Sequence, residues 1–374
     1  ILCFSDMAGD SFTLLKLQIL ATLCFLTAGT SLLVQYSRSV LHESYSTVEV
    51  ILMAEVFKVL VSGYLSVHSH SSDNLPSAIP SVTSSAYKWY NHLWGLFKSG
   101  KEMLVLVILY TISNISGFNA CALIGAAWHS VLVQLKILTT ALFAVCFLQR
   151  KYSSTKWRAL VLLLMGAILV TSPVMSKDPA TKDSKEGTGE KEKADGVVLG
   201  VMLVLTQATI SGFSSVYFEK ILKKGGKQPN IWERNFQLAA YSVLVLLATS
   251  VAENMRDSVT HPETVSTASF FNGWSIITVI ITIMSGSTGL VIAATLKYAD
   301  AVLKCLATSC AIIVTSVVGY FFLESVIDVF VSIGMITVII AVFNYTLDAT
   351  PPDTAPVSGN GVGDIKGDKS DAMA

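Results

Sequence analysis

Charge is scarce in this sequence. Only 14% of its 374 residues are Asp, Glu, Lys or Arg, whereas a soluble domain carries about 25%. The two signs balance to a formal net charge of zero, which gives no electrostatic basis for a nucleic-acid partner. Cysteine chemistry is also missing. The six cysteines (Cys3, Cys24, Cys121, Cys146, Cys305 and Cys310) lie mostly inside apolar blocks, with no CxxC and no Cys/His ligand spacing. They read as small buried apolar residues, not as disulfides or metal ligands. There is no P-loop, catalytic triad or metal motif, so an ATP-driven pump or an intramembrane enzyme has no support, and no cofactor is called for. No cleavable signal pattern is present. Met7 reads as a start, and the first apolar block reads as a retained spanning helix.

Long apolar runs fill the space that charge leaves: 52% of residues are hydrophobic. A span needs about 20 such residues, and ten segments qualify: 14–36, 46–67, 102–121, 123–147, 156–174, 196–218, 232–252, 270–293, 299–321 and 325–347. Helices are expected, because backbone polar groups in lipid must be satisfied within the segment. One set of loops holds Lys88, Lys98 and Lys101; Arg150, Lys151, Lys156 and Arg158; and Lys220, Lys223, Lys224, Lys227 and Arg234. The opposite set holds Arg38, Arg256 and a mixed loop, Lys177 to Asp195, with five Lys against six acidic residues. The basic set is therefore cytosolic, and with an even span count both termini face the cytosol. The mixed loop reads as a flexible lumenal linker. The polar, Gly-rich tail from Pro351 to Ala374 reads as disordered.

An internal repeat is visible. Leu135-Lys136-Ile137-Leu138-Thr139-Thr140 in the fourth span parallels Leu303-Lys304-Cys305-Leu306-Ala307-Thr308 in the ninth. Each is the fourth helix of a five-helix half, and an odd number of spans inverts the second half. The fold class expected is thus all-α in membrane. It has two inverted five-helix repeats, 14–174 and 196–347, a linker at 175–195 and a tail at 348–374.

Charges inside spans are costly and point to function. Lys136 lies about 21 Å from the helix end marked by Arg150, at about 1.5 Å per residue, too far to snorkel. With Lys304 it would place two ammonium groups around one cavity, suited to a phosphate. Glu55 and Lys58 share a helical face. They neutralise each other, or Glu55 holds Lys136. Tyr110, Ser113, Asn114, Asn119, Trp128, His129, Ser130 and Gln134 make spans three and four unusually polar or aromatic, as contacts for a base and ribose or as interhelical glue. Asn114-Ile115-Ser116 matches a glycosylation sequon inside a span, where modification is not expected. Ser211-Gly212-Phe213 and the pair Gly286 and Gly289 offer small surfaces for close packing.

Five stretches together resemble the nucleotide-sugar transporters of the CMP-sialic acid, UDP-galactose and UDP-N-acetylglucosamine group. They are Tyr45-Ser46-Thr47 with Glu55-Val56-Phe57-Lys58; Gln134-Leu135-Lys136; Ser211-Gly212-Phe213 with Val216 to Lys223; Trp232, Arg234-Asn235 and Gln237; and Lys297-Tyr298-Ala299-Asp300 with Lys304. The resemblance runs from about 14 to 347. It implies a ten-helix drug/metabolite-transporter bundle in the Golgi membrane. That bundle would exchange a cytosolic pyrimidine nucleotide sugar, of the UDP-sugar or CMP-sialic acid type, for a lumenal nucleoside monophosphate. It places the phosphate on Lys136 and Lys304, and base and ribose contacts on Tyr110, Asn114, Asn235 and Ser214 or Tyr217. His129, Ser130 and Gln134 complete the expected substrate set. Glu55, Lys58, Glu219, Gly286 and Gly289 are structural or gate residues. Ser113-Asn114-Ile115 and His129-Ser130 depart from the family pattern, which leaves the sugar open. Membrane lipid, a homodimer and a glycosyltransferase are the other partners to expect. Two rival readings are a metabolite or phosphate-ester transporter of the same superfamily and a non-transporting scaffold for a glycosyltransferase.

Overall fold

The computed structural model describes residues 2–73, 82–171, 190–224, 229–260, 271–322 and 327–348. The tail beyond 348 and residues 175–189 of the proposed linker lie outside them. Every regular element among the described residues is helical: α1 (Leu2–Ser39), α2 (Thr47–Asp73), α3 (Val82–Ser99), α4 (Lys101–Leu132), a 3-10 turn (Val133–Leu135), α5 (Lys136–Leu148), α6 (Ser154–Thr171), α7 (Glu190–Lys223), α8 (Ile231–Thr260), α9 (Ile276–Tyr298), α10 (Ala301–Phe322) and α11 (Val329–Thr346). Nine segments among the described residues are long and apolar enough to cross a membrane. Residues of α8 are not among these nine. Its first turns carry Glu233, Arg234, Asn235 and Gln237, and an uncharged, mainly apolar run follows them.

Local chemistry sets the breaks. Gly125 sits at φ 83°, ψ 159°, inside what is otherwise one helix from Lys101 to Leu132. That backbone region is open to glycine at little cost, so one residue separates the third and fourth spans. Gln149, left-handed at φ 51°, ends α5 and turns the chain toward Arg150. Ser275 caps α9 by accepting from the Ile277 and Thr278 amides, satisfying donors that have no partner within the helix. α7 begins at Glu190, so its first turns include residues read from the sequence as linker. α3 is an addition to the ten expected segments: an amphipathic helix where a basic loop was expected.

The packing is pairwise. α4 and α5 lie along α7, α6 along α11, α2 along α8, and α1 against both α9 and α10. One buried cluster centres on Met103, Leu106, Phe218 and Leu296, a second on Ile137, Leu160, Leu163 and Val338. Large apolar side chains such as Phe25 and Phe118 face outward, as lipid allows and water disfavours. At the α6–α11 contact a Cβ on Gly166 would meet the Val338 amide nitrogen at 2.9 Å and the Gly334 carbonyl at 3.0 Å. A Cβ on Gly334 would meet the Val170 nitrogen at 2.8 Å and the Gly166 carbonyl at 2.9 Å. The two glycines thus face each other reciprocally.

Candidate functional site

A cavity of about 280 Å³ opens between α2, α4, α7, α8, α9 and α10. Its polar wall consists of Glu55, Lys58, Tyr110, Thr111, Asn114, Ser242 and Lys304. Helical periodicity accounts for the convergence. Tyr110 and Asn114 are one turn apart on α4, and Glu55 and Lys58 nearly so on α2. Two other hollows, of about 390 and 670 Å³, are larger, but their linings contain no ionisable carboxylate or ammonium. A phosphate would lose its hydration there without replacement, so the smaller cavity is the one that suits a charged ligand.

Lys304 enters this cavity from the first turn of α10 and donates to Ser215 Oγ on α7 at 2.7 Å. Lys136 opens α5. It is half-buried, is not part of the cavity lining, and stands close enough for its charge to act on Lys304. Among the described residues its ammonium has no carboxylate partner. Glu55 pairs with Lys58 at 2.7 Å, so of the two arrangements read from the sequence the structure has the mutual one. The second carboxylate oxygen of Glu55 is buried and accepts no hydrogen bond from the described residues. Gly289 makes room for Lys58, whose Cδ would lie 2.8 Å from a Cβ there. Gly286 lies against the Ala54 carbonyl and the Phe57 ring of α2.

The remaining expected residues lie away from the cavity wall. His129 Nε2 and Gln207 Oε1 are 2.8 Å apart, joining α4 to α7. Ser130 is half-buried near the end of α4, and Gln134 is buried in the 3-10 turn. Tyr217 stacks on Phe213, with ring centres 5.8 Å apart. Asn235 is buried and donates to the Ile231 carbonyl at 3.0 Å. Ser214 is fully buried, and its hydroxyl has no partner among the described residues. Ser215 and Ser242 went unnoticed in the sequence. Ser215 stands next to Ser214, and Ser242 is a single serine set among aromatic and aliphatic residues of α8.

One turn before Lys304 the bundle is tied by charge. Glu219, fully buried at the end of α7, accepts from Arg150 and from Lys223 at 2.8 Å. Its other oxygen accepts from the Ala301 amide at 2.8 Å. Arg150 also reaches Asp300 at 2.8 Å. Burial of the Arg150 guanidinium opposes its charge, but Asp300 and Glu219 outweigh that and hold its pKa above the ordinary arginine value. Sequence reading placed Glu219 in a gate or packing role but missed its cation, because Arg150 is distant in the chain. At the opposite end, Glu43 accepts from Ser37 at 2.7 Å and Thr278 at 3.2 Å, and Glu49 accepts from Trp274 Nε1 at 2.9 Å.

A profile of nucleotide-sugar transporters matches residues 11–346. The chain belongs to the nucleotide-sugar transporter family. It is 35% identical over 347 residues to the UDP-N-acetylglucosamine transporter of Homo sapiens, covering 91% of this chain and 98% of that one. The Canis lupus familiaris protein of the same name is 34% identical over 346 residues, covering 91% and 97%. UDP-galactose translocator 1 of Caenorhabditis elegans is 30% identical over 333 residues, covering 88% and 87%. A solved crystal structure aligns with a TM-score of 0.59 at 13% identity, over 90% of this chain and 97% of that one. This last likeness concerns fold alone. Membership of the nucleotide-sugar transporter family agrees with the resemblance carried by the five sequence stretches.

Proposed function

We propose that this nucleotide-sugar transporter exchanges a cytosolic UDP-sugar, of the N-acetylglucosamine or galactose type, for a lumenal nucleoside monophosphate across the Golgi membrane. The names of the relatives supply the substrate class. The observation that carries the reading is the Lys304 ammonium in an interior cavity, with Lys136 within electrostatic reach and Tyr110 and Asn114 beside it. A diphosphate diester must shed water on entering such a site. Fixed ammonium groups replace that hydration, and hydrogen-bonding side chains orient the base and ribose. Loaded carrier interconverts between two faces, and an empty carrier that rocks slowly enforces exchange.

The architecture in this proposal is ten spans, with α8 as the seventh, in two inverted repeats over 14–174 and 196–347, both termini in the cytosol. Matching the first five spans in order with the second five turns the α1 contacts with α9 and α10 into the α7 contacts with α4 and α5. It returns α2–α8 and α6–α11 to themselves. Gly334 follows Gly166 at the same spacing by which Lys304 follows Lys136, and Val338 follows Val170 likewise. The reciprocal glycine contacts support a twofold axis through that seam.

The test is uptake into proteoliposomes preloaded with UMP, CMP, AMP or nothing, challenged with a panel of UDP-, CMP- and GDP-sugars. Competition by UDP-sugars together with trans-stimulation by UMP is expected. Uptake indifferent to the internal nucleotide would overturn the exchange.

A further inference from the structure

The hollow of about 390 Å³ lies between α2, α3 and α8, and its lining is entirely aliphatic and aromatic. α3 forms its roof. This helix is held along one edge, where Gln237 donates to the Leu96 carbonyl at 2.8 Å and Tyr241 donates to the Phe97 carbonyl. His92 also ties it to Ser66 of α2 at 3.2 Å and to Glu233 of α8 at 3.4 Å, while a Cβ on Gly95 would meet nothing within 4 Å. Tyr90, Trp94, Phe97 and Tyr241 form a ladder of rings, with centres 6.3, 5.8 and 4.7 Å apart in succession. Beside the second ring of the ladder, Lys98 Nζ lies 5.4 Å from the Trp94 ring centre. Lys98 and Lys101 flank Gly100, where α3 ends and α4 begins, and both are exposed. Among the described residues, neither has a carboxylate partner.

We propose that this groove binds one acyl chain of an anionic phospholipid, with the headgroup phosphate on Lys98 and Lys101. Three physical features select that occupant. An amphipathic helix with exposed tryptophan and tyrosine is suited to the membrane interface, where one side of it is apolar and the other wet. The groove is contiguous with the outward apolar surface of α2 and α8, where Leu60 and Leu244 are exposed. A lipid tail therefore enters from the bilayer without crossing a polar barrier. Lys98 and Lys101 follow Phe97, the last lining residue of α3, and are exposed where a headgroup would lie, and each basic residue near an anionic lipid surface favours it by about fivefold. The lipid would also touch the transport site indirectly. Val56 and Val59 line the groove, while Glu55 and Lys58 line the polar cavity, so α2 is a shared wall.

The test uses the purified, delipidated full-length chain in detergent, with dioleoyl phosphatidylserine and dioleoyl phosphatidylcholine as probes. Intact-complex mass spectrometry and melting temperature are the readouts, so the result does not depend on transport. One phosphatidylserine per chain is expected, preferred over phosphatidylcholine by about fivefold for each lysine. Ala240→Trp should fill the groove and weaken retention at least tenfold. Lys98→Ala with Lys101→Ala should bind the two lipids equally. If Ala240→Trp is not monodisperse, Val243→Phe takes its place in the same measurement. Retention unchanged in the filled groove, or a wild-type chain indifferent to headgroup charge, would overturn the proposal. So would a change from oligomer to monomer on filling the groove, which would make a second copy of the chain the occupant.

Discussion

At the scale of single residues, the site rests on charge held inside a membrane. Lys304 has a hydroxyl for a partner, not a carboxylate, so its charge is available to a ligand. Hydrogen bonds to charged groups contribute about 1.5–3 kcal/mol. Lys304→Ala and Lys136→Ala should therefore each weaken UMP binding by roughly ten- to hundredfold, with uridine binding nearly unaffected. Thermal stabilisation by nucleotide in detergent reads this. Two folded variants that bind UMP like wild type would remove the phosphate site. Arg at Lys136 should not rescue fully, because its planar fork needs a different space. Glu219 makes the opposite case, a carboxylate whose charge is consumed by the protein. It faces Arg150, Lys223 and the Ala301 amide with no exposure. Glu219→Ala leaves the Ala301 amide without its acceptor and Arg150 with Asp300 alone, and should cost about 1–3 kcal/mol of stability. A thermal melt unchanged by the substitution would show that the cluster relaxes into water. The lysines were legible in the sequence because a charge in an apolar run needs no tertiary information to stand out. Ser215, Ser242 and the Arg150–Asp300 pair were not, since serine is ordinary within a span and an ion pair across helices leaves no local pattern.

Elements show the same division. Continuous apolar runs announce spanning helices, so each of the nine long apolar helical segments among the described residues overlaps a segment read from sequence, with ends displaced by a few residues. α3 escaped because its signal is periodic: Leu93, Leu96 and Phe97 turn inward while Trp89, Tyr90 and Trp94 are exposed. Its basic residues then read as a loop. The break at Gly125 was equally hidden, as a glycine among apolar residues carries no mark of its φ. Where helices touch backbone to backbone, small residues decide stability. Gly166→Ala and Gly334→Ala should each destabilise the fold by about 1–3 kcal/mol through overpacking. The double variant should cost less than the sum, because either methyl alone already separates α6 from α11. Chemical denaturation in mixed micelles measures both. The junction of α1, α2 and α9 adds a pH dependence. Hydrogen bonds from Ser275 and Ser37 hold the Glu43 carboxyl below its ordinary range. Its contribution is thus complete above the unfolded value of about 4.3 and is lost as pH falls through the lower folded value. Melting temperatures scanned from pH 7 to pH 3 should fall less steeply for Glu43→Gln than for wild type.

For the whole molecule, basic loops predict sidedness. Tags after Lys151 and Lys224 should be accessible from the cytosolic face of sealed Golgi vesicles, and a tag near Glu186 should be protected. Cleavage near Glu186 in intact vesicles would reverse the orientation. Replacing Asp178 to Gly189 with a flexible segment of equal length should leave uptake nearly unchanged, because that stretch has no apolar run to bury. The seam between α6 and α11 carries a different consequence. In a carrier made of two inverted halves, the inward- and outward-facing forms are related by letting each half take the other's shape. Contacts away from the axis are traded in that exchange: what α1 makes with α9 and α10, α7 makes with α4 and α5. Contacts on the axis are traded only for themselves. On the proposed twofold axis the Gly166–Gly334 pair would be the axle of that cycle, the seam where the two backbones keep their contact while the pairs around it trade places.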